Sequence, residues 1–90
     1  MAEAEQVQQW LLITARMMVD HPDDVRVELI GTSERIALML HVHPSDVGKM
    51  IGKAGRTGRA LRTIGGAITQ ASSKWFTLDI ADDDKQVHRD

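Results

Sequence analysis

Gly52-Lys53-Ala54-Gly55 is the stretch best suited to holding an anion. Glycine reaches positive φ at no steric cost, and without a Cβ it lets another backbone come close. Lys53, and Arg56 just beyond, carry full positive charges. A helix starting near Arg56 would add free N–H groups and the positive end of its dipole. Together these features suit phosphate. They predict a phosphate-gripping loop between two helices.

Other chemistries fit poorly. A nucleotide-hydrolysing phosphate loop needs four residues between its glycines and then Lys-Ser/Thr. Here Gly48 and Gly52 have three between them, and Ala54 follows Lys53, so no hydroxyl is placed for magnesium. Glycines at 52, 55 and 58 miss the dinucleotide-binding spacing. His41 and His43 share a strand face, but two imidazoles without a third ligand make a poor metal site. Asp82-Asp83-Asp84 reads as a solvated acidic stretch. There is no cysteine, hence no disulfide or thiolate site. No nucleophile–base arrangement stands out. No enzyme, cofactor or metal is expected.

The charge distribution supports the loop. Net charge is only −2. Yet residues 47–78 carry Lys49, Lys53, Arg56, Arg59, Arg62 and Lys74 with no acid, while the segments on both sides are acidic. A basic island of this kind is the footprint of an anionic polymer. No run approaches the ~20 apolar residues that span a bilayer. The acidic start, Met1 to Glu5, is unlike a signal peptide. A cytosolic protein is expected.

The elements that would position the loop follow from periodicity. Residues 4–20 read as a helix, with Val7, Trp10, Leu11, Met17 and Met18 recurring at helical steps and further apolar residues widening the surface. His21-Pro22 ends it. Residues 25–30 and 35–43 alternate as two strands of a hairpin across Gly31 to Glu34. Pro44-Ser45-Asp46 starts a short helix with Val47, Met50 and Ile51 on one face and Lys49 on another. After the loop, a longer helix runs from Arg56 to about Ser72. Its expected buried stripe is Ala60, Leu61, Ile64, Ala67, Ile68 and Ala71. Gly65-Gly66 would bend it, end it early or allow a close packing contact. Residues 75–80 alternate as a third strand. Trp75 is expected on the side opposite Phe76, exposed or at an interface, with base stacking as one use; Trp10 is expected in the core or at an interface.

The link between strands two and three is long enough for a crossover, so they can pair in parallel. Strand two is then central, with strand one antiparallel beside it. The expected fold class is α+β: a three-stranded mixed sheet with helices on one face. One domain over 1–80 and a charged, disordered tail over 81–90 are expected.

This order, with a glycine-x-x-glycine loop joining two helices, resembles the type II KH domain. The likeness is closest to the small bacterial single-KH proteins of the KhpA (YlqC) family. It rests on His21-Pro22-Asp23-Asp24-Val25, on Pro44 to Thr57, on Ala60-Leu61-Arg62-Thr63-Ile64 and on Leu78-Asp79-Ile80. Gly65-Gly66 and the acidic tail depart from the family's pattern. The resemblance implies a non-catalytic, cytoplasmic RNA chaperone or regulator that clamps about four nucleotides of single-stranded RNA. By position, Gly52, Lys53, Ala54 and Gly55 would be the clamp and Arg56 a flanking phosphate contact. Val47, Gly48 and Ile51 would line a base groove, Arg59 would edge it, and residues 75–78 would form its far wall. Lys49 completes the implied RNA-binding set. The implied protein partners are a second copy or a larger KH protein of the KhpB (Jag) type. Apolar surplus on the first helix and at Ile64 independently motivates a dimer. Two alternatives are a helix-loop-helix DNA reader using residues 56–62, and a protein-interaction module acting through a KH partner.

Overall fold

A computed structural model describes residues 3–32, 34–72 and 74–81. Helix α1 spans Glu3–Met18, β1 Arg26–Leu29, β2 Arg35–His41, α2 Val47–Ile51, α3 Arg56–Ile68 and β3 Trp75–Ile80. Single 3-10 turns at Pro22–Asp24, Pro44–Asp46, Lys53–Gly55 and Gln70–Ser72 join them. The sheet order is β1-β2-β3. Strands β1 and β2 pair antiparallel, with Val27 opposite Leu40. Strands β2 and β3 pair in parallel, with Leu38 opposite Leu78. The α+β class and the central place of β2 are as expected from the element order. The main-chain N–H of Ala81 donates to Leu40 O at 2.9 Å. The tail expectation otherwise falls on residues 82–90, outside the described residues.

The core lies between one face of the sheet and the helices. Val7, Leu11 and Ala15 of α1, Ile36, Leu38 and Leu40 of β2, Met50 of α2, Leu61 of α3, and Leu78 and Ile80 of β3 are all buried. Each fully buried Leu or Ile side chain contributes about 1.5–3 kcal/mol. Acidic Glu3 and Glu5 in the first turn of α1, and Arg16 in its last, complement the helix dipole.

Two expected stripes are corrected. On α1 the buried positions are 7, 11 and 15, each four residues apart, whereas Met17 and Met18 are exposed. Only one stripe of α1 can meet the sheet, and a four-residue step stays on it. On α3 the buried residues are Gly58, Leu61 and Gly65; Ala60, Ile64 and Ala67 face solvent, as does Ala71 beyond the helix. The reason is Phe76. A Cβ built on Gly65 would lie 2.4 Å from Phe76 Cζ, so the aromatic ring takes the space a side chain would need. Of the three outcomes allowed at Gly65-Gly66, close packing is the one realised. The helix continues to Ile68, and just beyond it Thr69 N–H donates to Gly65 O.

Candidate nucleic-acid interface

The loop between α2 and α3 turns on three residues with positive φ: Gly52 (φ 80), Ala54 (φ 57) and Gly55 (φ 76). Gly52 combines φ 80 with ψ 168, a region essentially restricted to glycine. A Cβ there would also sit 2.3 Å from Thr57 Oγ1. Ala54 is the one non-glycine residue with positive φ among those described. The strain of its left-handed backbone is held by Arg59, whose Nη2 donates to Ala54 O at 2.8 Å. Lys53 and Arg56 are exposed on either side.

The N–H groups are more committed than the loop's sequence implies. Gly52 N–H donates to Gly48 O at 2.8 Å and Gly55 N–H to Gly52 O at 3.0 Å. Arg56 N–H, expected to be free at the helix start, donates to Lys53 O. A 3-10 turn runs straight into α3 and uses it.

The other expected residues separate. Ile51 is half-buried, and Gly48 is exposed with open space where a Cβ would be. Val47 is buried in the core cluster. Lys49 reaches away from the loop, pairing with Asp20 and lying 3.8 Å from Asp46. The hydrogen bond to Asp20 holds its ammonium above the ordinary 10.5, against partial desolvation.

Asp46 is a residue whose role the sequence hides. Its carboxylate is fully buried and makes no cap bond to α2. It accepts instead from the main-chain N–H groups of Asp20 (3.2 Å) and His21 (3.1 Å), and lies 3.0 Å from His21 Nδ1. Burial alone would push this carboxyl up. The His21 side chain and the two backbone donors outweigh it and hold the pKa below 3.8. Asp46 thereby ties the end of α1 to the start of α2. The His21 ring stacks on His43 at 3.9 Å, while His41 Nε2 pairs with Glu28 at 3.1 Å. Strand β2 ends at His41, short of the expected residue 43, so His43 caps the Pro44–Asp46 turn instead of sharing a strand face with His41, and the two histidines have separate partners. Among the described residues no group of three or more potential ligands could hold a metal ion.

In the sequence Arg62 reads as part of the basic island and of the α3 segment that carries the family resemblance, with no structural partner indicated. Its Nε donates to Leu78 O at 2.8 Å on the open edge of β3. Its guanidinium also covers Gly58, where a Cβ would lie 2.8 Å from Arg62 Nη1. An arginine four residues beyond a helical glycine could have suggested that cover, though not the strand partner. Arg62 and Arg35 face a hollow of about 390 Å³ between α3 and β3, floored by Gly66, Phe76 and Leu78.

The sequence profile described as KhpA/KhpB, KH domain, matches residues 8–84. The chain belongs to this KH-domain family. RNA-binding protein KhpA of Bacillus subtilis (strain 168) is 52% identical over 65 residues, which are 72% of this chain and 80% of that protein. RNA-binding protein KhpA of Mycobacterium tuberculosis H37Rv is 44% identical over 70 residues, 78% of this chain and 84% of its own. That of Aquifex aeolicus is 44% identical over 68 residues, 76% and 86% respectively. No solved structure gives a significant match. Within this KH domain, the loop at 52–55 occupies the place the sequence resemblance assigned to it, between α2 and α3.

Proposed function

We propose that this KH domain binds single-stranded RNA without catalysis, gripping the sugar–phosphate backbone with the Gly52–Gly55 loop. The observation that carries it is a tight glycine turn, braced by Arg59, with the exposed cations Lys53 and Arg56 beside it. Gly52 and Gly55 let the RNA backbone approach, and the cations neutralise phosphates. The relatives named as RNA-binding proteins support the same ligand. One such clamp makes few phosphate contacts, so binding is on the order of micromolar or weaker, with a shallow salt slope. A cytoplasmic RNA chaperone or regulator fits this behaviour, and no helix among the described residues is long and apolar enough to cross a membrane.

The test is fluorescence anisotropy with labelled single-stranded RNA, comparing wild type with Lys53→Asp/Ala54→Asp. Aspartate tolerates left-handed backbone better than most residues, so the loop should keep its shape. Loss of binding by a folded double variant is expected; equal binding by both proteins would place the RNA elsewhere.

A protein partner is the second reading. It is favoured by the solvent face of α3, where Ala60, Ile64 (47% exposed) and Ala67 lie at helical spacing. A second copy or a KhpB-type KH protein would cover that stripe, and a dimer would join two weak clamps. A helix-loop-helix DNA reader is disfavoured, because Arg59 and Arg62 already serve Ala54 O and Leu78 O.

A further inference from the structure

Trp75 is 76% exposed, the most exposed aromatic residue described. It opens β3, an edge strand that among the described residues pairs only with β2. It lines a second hollow with Gly66, Gln70, Lys74 and Phe76. Gly66 and Phe76 also line the hollow beside Arg62, so the two hollows are neighbours. Because β3 runs back along α3, Arg62 meets Leu78 nearer the glycine loop, and Trp75 lies against the far end of α3. The first hollow thus lies beside Arg62 and Arg35, and the second beside Trp75 at the start of the strand. Trp75 lies about 16 Å from Ile80 along the strand, at 3.3 Å per residue.

We propose that Trp75 is a stacking platform for a base of single-stranded RNA lying beyond the nucleotides held by the glycine loop. This rests on the clamp proposed above and extends it. The physical grounds are specific to this strand edge. An exposed indole offers a flat face that accepts any base, which suits sequence-tolerant binding. Among the described residues lining the two hollows, cations outnumber the one carboxylate, Asp79, and suit a phosphate backbone: Arg35 is the β2 register partner of Trp75, and Lys74 precedes it. Gly66 lines both hollows, and even a Cβ there would meet no atom within 4 Å, so the space between α3 and the strand edge is open at this point.

Anisotropy titrations with a four-nucleotide and a ten-nucleotide RNA test this, using wild type, Trp75→Leu, Trp75→Phe and Lys53→Asp/Ala54→Asp. A further ten-nucleotide RNA keeps every phosphate but is abasic outside the central four. Loss of stacking should weaken the ten-nucleotide complex of Trp75→Leu roughly 5- to 100-fold. The four-nucleotide complex should not change, Trp75→Phe should stay near wild type, and the salt slope should be unaltered. The abasic RNA should lose its length advantage on wild type and show no further loss on Trp75→Leu. In the Trp10→Phe background, the ten-nucleotide RNA should quench the remaining indole.

If Trp75→Leu binds the ten-nucleotide RNA like wild type while the loop variant loses it, the platform is overturned and the clamp survives. If Trp75→Leu loses affinity but the loop variant does not, the clamp fails, and the platform's place beyond it is overturned with it. A change in particle mass of Trp75→Leu with unchanged RNA affinity would assign the indole to a protein contact and overturn the proposal.

Discussion

Gly65 and Phe76 compete for one space: a Cβ on Gly65 would stand 2.4 Å from the ring tip. Gly65→Ala should therefore destabilise the fold by about 1–2 kcal/mol, overpacking outweighing the gain in helix propensity. For a domain of this size that lowers Tm by roughly 4–16 °C. Gly66→Ala provides the contrast, since Gly66 is helical with open space around it. It should stabilise by about 0.5–1 kcal/mol. Thermal unfolding by circular dichroism checks both, and similar effects of the two changes would refute the packing role of Gly65.

Ala54 holds a left-handed backbone that costs an alanine about 1–2 kcal/mol. Ala54→Gly should remove that cost, offset by added freedom of the unfolded chain, for a net gain of roughly 0.5–1 kcal/mol. Urea unfolding measures it; a destabilised variant would mean that the strain is absent. Arg59→Ala should loosen the same turn, seen as faster amide exchange at Gly55.

Asp46 predicts an acid dependence. Its folded pKa is depressed, so its stabilisation is complete above 3.8 and is lost as pH falls through the lower folded value. Asp46→Asn should be less stable than wild type at pH 7, by more than the exposed Asp20→Asn, and its urea midpoint should fall less on acidification. Parallel acid limbs in wild type and Asp46→Asn would exclude this carboxylate as the coupling group. The pKa of Lys49 is raised, so its contribution is fully present near neutrality, where it adds no pH dependence, and is lost only as pH climbs above 10.5.

Ile64 is exposed on α3 although it fits the helix's apolar spacing. If that face joins two copies, light scattering of wild type at tens of micromolar should give twice the 10.0 kDa chain mass, and Ile64→Glu should return it to one. A wild type of single mass at that concentration would exclude the homodimer and leave the face for a different KH partner.

Local features were legible in the residue order. Alternation at 25–30, 35–43 and 75–80 placed the strands, and Pro22 and Pro44 marked the breaks. The glycine pair placed the loop, because only glycine meets the backbone demanded at Gly52. The crossover length allowed a parallel β2–β3 pair. What tertiary structure alone decided is which surface meets which. Lys49 and Asp46 look like loop-side and capping residues along the chain, yet both face the end of α1, nearly thirty positions away. Arg62 finds Leu78 O across the fold. Helical period groups residues onto faces but does not say which apolar face lies inward. On α3 shape settled it: Phe76 needs a gap, glycine at 65 provides one, and the alanines with Ile64 are turned to solvent.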